Sequence, residues 1–115
     1  MARGDIILVD LPETVVAGRE QTGSRPALVV HDNSTENILS VLMIVPFTSN
    51  LAAQRFPHTI FVAPSSENGL SVESVLLVFQ LRAIDKRRII RKIGRLEKPL
   101  LHQVEVEMKR LLGLS

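Results

Sequence analysis

Short β-branched runs separated by breakers fill most of this chain, and only its last segment repeats with a helical period. Residues 5–11 (Asp-Ile-Ile-Leu-Val-Asp-Leu) and 27–30 (Ala-Leu-Val-Val) are apolar and bounded by polar, Pro or Gly residues, which predicts strands. Residues 39–46 are apolar almost without interruption and predict a strand buried on both faces, while 59–62 and 74–79 supply further strands. Residues 82–84 and 89–96 alternate charged and apolar side chains, as half-exposed strands do. Residues 12–24, with Pro12, Gly18 and Gly23, predict a long loop of the kind that is commonly functional. Residues 31–37 are polar and turn-rich and enclose a short helical turn. From Pro99, suited to a first helical position, Leu100, Leu101, Val104, Met108, Leu111 and Leu112 recur at helical spacing until Gly113 ends the run. The class is mainly β with a C-terminal α-helix, folded as a small, strongly curved sheet or partly open barrel.

With 115 residues the chain fits a single domain, 1–115, and its 45% hydrophobic content is enough to build a core without disulfides or a structural metal. Cysteine is absent, which excludes thiol nucleophiles, cysteine-ligated zinc and iron–sulfur clusters and suits a reducing cytoplasm. The N-terminus shows no charged leader followed by an apolar segment, and the longest apolar run, residues 41–47, is far short of the roughly 20 residues a membrane helix needs. A soluble, cytoplasmic protein without membrane contact is expected. The net charge is only +2, yet between residues 82 and 95 seven basic side chains stand against the single acid Asp85. Such asymmetry points to a polyanion or an acidic protein partner, or simply to a solvated basic hairpin.

Two clusters carry chemistry. The loop before the second strand reads Gly18-Arg19-Glu20-Gln21-Thr22-Gly23-Ser24-Arg25-Pro26, so that Arg25 falls where loop meets sheet. A permanently charged guanidinium anchored there can grip the non-bridging oxygens of a phosphodiester, and Glu20 or Gln21 can orient it. On spacing alone, a structural Arg–Glu pair is the commoner use of such residues. The second cluster, Pro46-Phe47-Thr48-Ser49-Asn50, places hydroxyls at a strand end, where they can donate to a phosphate or a ribose, or else merely cap a turn.

Taken together, four ordered stretches resemble the MazF/PemK toxins of bacterial toxin–antitoxin systems: residues 3–10 (Arg-Gly-Asp-Ile-Ile-Leu-Val-Asp), Gly18 to Pro26, the Pro-x-Thr-Ser of 46–49, and Gln80-Leu81-Arg82-Ala83-Ile84-Asp85-Lys86. The resemblance spans nearly the whole chain. It implies an SH3-like or PemK-type small barrel, the MazF/CcdB-like fold, working as a homodimer that cuts single-stranded RNA at a short sequence. It also implies attack by the ribose 2′-hydroxyl without any metal or other cofactor, and silencing by a cognate MazE-like antitoxin. The family's arginine falls on Arg25 and its hydroxyl partner on Thr48, with Glu20, Gln21 and Ser49 as supports. Arg19, Phe47, Asn50, Phe56, Arg82 and Lys86 are the candidate RNA contacts. A guanidinium, protonated well above pH 7, stabilises charge before it moves protons.

Two departures bear on mechanism. PemK-type relatives carry Arg-x-Asp before the Gln of the later motif, where this chain has Leu77-Val78-Phe79, so that acid–base pair cannot operate here. Residues 12–19 form a loop about two residues longer than in some relatives, in a region that this resemblance ties to RNA and antitoxin contact. A rival of the same fold, the gyrase-poisoning CcdB type, depends on a Trp near its C-terminus, whereas this chain ends Leu111-Leu112-Gly113-Leu114-Ser115. Of the four phenylalanines, Phe61 and Phe79 are expected in the core, while Phe47 and Phe56 remain free to stack a base. The three histidines show neither metal-ligand spacing nor a carboxylate neighbour and are expected at the surface.

Overall fold

The computed structural model describes residues 1–11, 23–32 and 38–114. The expectations for residues 12–22, including Arg19, Glu20 and Gln21, and for a helical turn within 33–37 lie outside these. Among the described residues seven antiparallel strands form one sheet: β1 (Asp5–Asp10), β2 (Ser24–Val29), β3 (Val41–Thr48), β4 (Thr59–Val62), β5 (Ser74–Leu77), β6 (Arg82–Asp85) and β7 (Ile89–Arg95). Their order is β4-β5-β3-β2-β1-β7, with β6 also on β3. The one α-helix among the described residues, α1 (Lys98–Leu112), follows. It is too short to cross a membrane, and no described helix meets that requirement.

The near-continuous apolarity of β1, β2 and β3 follows from burial on both faces. Ile6, Leu28, Val45 and Phe47 point to one side, where they meet Ile60, Val62, Leu76 and Val104 of α1. Ile7, Val9, Ala27, Val29, Leu42 and Ile44 point to the other and form a second core with Ile84. Alternation is therefore present but masked, because both phases are apolar. At β4 it is visible: Ile60 and Val62 are buried, whereas Phe61 between them is 40% exposed and does not join the core expected for it. The run expected as one strand over 74–79 divides, β5 giving way to a 3-10 turn at Val78–Gln80.

The helix buries Val104 fully, with Leu100, Leu101, Met108 and Leu111 packed on the same core, while Leu112 stays 55% exposed. Pro99 occupies the second helical position, not the first, after the N-cap Glu97. Gly113 closes the helix in a left-handed conformation, and the Leu114 N–H donates to the Lys109 carbonyl at 2.8 Å.

The Asp of the first sequence motif is structural. Asp5 is buried, and its carboxylate accepts from the Ala2 N–H at 2.9 Å and pairs with Arg95 and Lys92 of β7. Nearby, the connection between β4 and β5 is fastened to the end of β7. Asn68, fully buried, accepts through Oδ1 from the N–H groups of Ser65 (3.0 Å) and Leu70 (2.9 Å). Its Nδ2 donates to the Ala63 carbonyl (2.9 Å) and to Glu97 (3.3 Å), while Ser65 Oγ donates to Glu97 Oε2 at 2.6 Å. The Arg95 N–H reaches the Glu67 carbonyl at 2.9 Å.

Burial alone pushes the Glu97 carboxyl up, but hydrogen bonds from Ser65, from its own backbone N–H and from Asn68 outweigh it and hold it below the usual carboxylate range. A carboxyl lowered on folding adds stability at neutral pH that is lost as the pH falls through its folded-state value. Glu97→Gln is thus expected to lower stability by about 1–2 kcal/mol near pH 7, with the gap to the native protein closing as the pH falls through and below the ordinary carboxylate range. Thermal midpoints of both proteins across that range test this; a gap independent of pH would contradict it.

Candidate functional site

Arg25 and Thr48 lie just beyond the ladder that joins β2 and β3. That ladder pairs Val29 with Ile44, Leu28 with Val45 and Ala27 with Pro46 and stops there, while Phe47 and Thr48 pair with Leu76 and Val75 of β5. Arg25 is held on β1, which pairs Val9 with it. A cavity of about 190 Å³ opens there, lined by Ser24, Arg25 and Pro26 from β2, Phe47 and Thr48 from β3 with Ser49 after it, and Leu70, Ser71, Val72 and Ser74 from the segment that enters β5.

Of the two expectations for the Thr48 cluster, the capping of a turn is what the hydrogen bonds show. Thr48 Oγ1 accepts from the Asn50 N–H at 3.1 Å, and Asn50 Oδ1 accepts from the Ala52 N–H at 3.1 Å, capping the 3-10 helix Leu51–Arg55. A hydroxyl that accepts through oxygen still has a proton to donate. Among the described residues that proton meets no acceptor, and the cavity is what it borders. Ser49 is exposed at the rim. Asn50, its oxygen engaged in the cap, does not line the cavity.

The remaining candidates are placed differently. Phe47 is 1% exposed, its side chain packed in the core that faces α1, so it offers no face to a base; Thr48 beside it is also buried, at 6% exposure, and borders the cavity. Phe56 is 40% exposed, with its ring edge-on to Phe79 at 5.7 Å and the Arg55 guanidinium 4.7 Å from its centroid. Phe79 is half-buried against Ala53, Val75 and Leu77. Arg82 pairs with Ile44, four residues before Thr48, which places it about 13 Å along the strand from the cavity. Lys86 lies farther in the same direction, where its N–H donates to the Ser40 carbonyl.

Much of the basic run is engaged within the fold. Arg87 grips Asp85 through two nitrogens, at 3.1 and 2.9 Å, and its side-chain and backbone hydrogen bonds lower the Asp85 carboxyl to about 2. The histidines were expected at the surface without carboxylate neighbours. Only His102 fits: His31 is buried and its Nδ1 accepts from the Met43 N–H, and half-buried His58 meets Glu107 at 2.9 Å across 49 residues of sequence. Among the described residues no three His, Cys, Asp or Glu side chains gather as a metal site. None of the described residues lining the cavity is a carboxylate or an imidazole; those described offer a cation and hydroxyl donors.

Residues 70–74 were not singled out by sequence. Nothing local marks them, because their place in the wall depends on the distant contacts of Asn68 with Glu97 and of Glu67 with Arg95.

Comparison with known proteins adds to this geometry. A family described as PemK-like, MazF-like toxin of type II toxin–antitoxin system matches residues 2–112. The endoribonuclease EndoA of Bacillus subtilis is 29% identical over 112 residues, covering 97% of this chain and 94% of that protein. The endoribonuclease MazF9 of Mycobacterium tuberculosis is 34% identical over 119 residues, covering 99% and 98%. Among solved structures, a MazE–MazF complex from Deinococcus radiodurans superposes with a TM-score of 0.74 at 27% identity, covering 100% of this chain and 97% of the matched one.

Proposed function

The chain belongs to the PemK-like, MazF-like toxins of type II toxin–antitoxin systems, and from that premise we propose that it cuts single-stranded RNA at a short sequence, with Arg25 and Thr48 acting on the scissile phosphate. The observation that carries this reading is their placement on adjacent strand ends around one cavity. In the reaction the ribose 2′-oxygen bonds to phosphorus and the bond from phosphorus to the 5′-oxygen breaks. The 2′-hydroxyl proton is lost and the leaving oxygen gains one, which yields a 2′,3′-cyclic phosphate and a 5′-hydroxyl.

Negative charge builds on the two non-bridging oxygens as phosphorus becomes five-coordinate. The Arg25 guanidinium, fixed on β2, meets that charge with parallel N–H donors, and the Thr48 hydroxyl donates to one of the same oxygens. No metal takes part. Phe56 offers an exposed ring to a base farther along the strand, and Arg82 and Lys86 guide the RNA backbone toward the cavity. Glu20, Gln21 and Arg19 are assigned to the site on the sequence motif alone. The functional unit is a homodimer, and an antitoxin of the MazE kind is its silencing partner, a reading supported by the Deinococcus radiodurans complex.

Purified protein incubated with a long single-stranded RNA in excess EDTA is expected to cut it and leave 5′-hydroxyl and 2′,3′-cyclic phosphate ends. Intact RNA would refute the activity, and cleavage lost only in EDTA would refute the metal-free step. Thr48→Ala is expected to slow cleavage about 10- to 100-fold, the worth of one hydrogen bond to a charged oxygen, whereas Thr48→Ser should keep most of the rate. Equal loss in both would show that the Thr48 methyl, and not its hydroxyl, matters.

A further inference from the structure

The two strand-end walls of the cavity supply a cation and hydroxyls. Such groups hold phosphate and sugar and are blind to sequence. A site that cuts at a chosen word needs groups of another kind against a base, and the third wall has them. Val72 is 52% exposed, while the other large apolar residues lining the cavity, Phe47 and Leu70, are 1% and 7% exposed and face the core. An exposed valine is ordinary on a protein surface. This one is held: the Ser74 hydroxyl donates to its carbonyl at 3.0 Å, and Leu70 anchors the segment from beneath through the Asn68 contact at 2.9 Å. Ser71, also exposed, sets a hydroxyl beside it.

Resting on the endoribonuclease reading above, we infer that Val72, on the segment that lines the cavity as it enters β5, packs against the nucleobase next to the scissile phosphate and sets which base is accepted there. The face of the base lies on the two methyl groups of Val72, and the Ser71 hydroxyl reaches its polar edge. The group selected is a base and not a phosphate, so changing Val72 should alter the recognised word while leaving the chemistry of the ends as it is.

The test compares the native protein with Val72→Ala and Val72→Lys on one long RNA that contains many short words, reading the relative frequency of cuts at each word by sequencing the new ends. A ratio taken within one digest is independent of the overall rate. Both variants are expected to shift the preference at one position of the word by about five- to tenfold, the discrimination that a few methyl contacts provide. Unchanged word frequencies in a protein that cuts would overturn the assignment of Val72 alone. So would a Val72→Ala protein that melts like the native one yet cuts no word, since that would make the residue a general binding contact. A native protein that cuts no RNA would overturn the endoribonuclease reading and this inference with it.

Discussion

Replacing Arg25 with alanine is expected to reduce RNA cleavage by about 100- to 1000-fold while leaving the protein folded, the loss typical when a single preorganised donor to a transition-state oxyanion is removed. The side chain is half-buried at the start of β2 and lies outside both cores, so its removal should move the thermal midpoint by no more than roughly 5 °C. Arg25→Lys separates charge from geometry. The ammonium keeps the positive charge but loses the planar fork, and a partial recovery of about tenfold over alanine is expected. Rates are best measured under single-turnover conditions, where RNA release does not mask the chemical step. Should Arg25→Ala cut within a fewfold of the native rate, the guanidinium would be structural, the commoner use of an arginine beside a glutamate, and the assignment of charge stabilisation to it would fail.

Gly94→Ala is expected to cost about 3 kcal/mol or more and to lower the thermal midpoint by roughly 15 °C, because the site has no room for one carbon. A Cβ on Gly94 would meet the backbone of Asn68 at 2.3 Å and the Glu67 carbonyl at 2.6 Å. From the other side, a Cβ on Gly69 would come within 2.0 Å of the Ile93 carbonyl. These neighbours are backbone atoms, so they cannot swing away as a side chain does. The connection between β4 and β5 must lift off β7 to make room, breaking the bond from the Arg95 N–H to the Glu67 carbonyl and loosening the Asn68 contacts with Glu97. Since residues 70–72 and 74 line the cavity, cleavage should weaken along with stability even at temperatures where the variant is folded. A melting curve that superimposes on that of the native protein would show that the connection has space to shift.

The sequence made the strands and the helix legible because their signals are local: β-branched runs between breakers, and one apolar stripe ending at a glycine. Arg25 and Thr48 were legible as members of motifs, though not as neighbours, since only the fold brings both to the lining of one cavity. The misplaced phenylalanines share one cause. Phe47 and Thr48 are adjacent in a strand and must face opposite ways, so both could not serve RNA; Phe61, between the buried Ile60 and Val62, had to face out. Period-two reasoning was available at both places, but the uniform apolarity of the runs hid it. The buried His31, the His58–Glu107 pair and the wall at 70–74 were not legible at all, because each depends on contacts between residues far apart in the chain.

Consider finally that Thr48 ends a strand bonded on both sides, to β2 along one edge and to β6 and β5 in turn along the other. Its position is set when the sheet forms and cannot be withdrawn without dismantling the central ladder. On the function proposed above, a silencing partner therefore acts at this strand end by covering the cavity, not by withdrawing Thr48, and its protection lasts only while the cover stays in place.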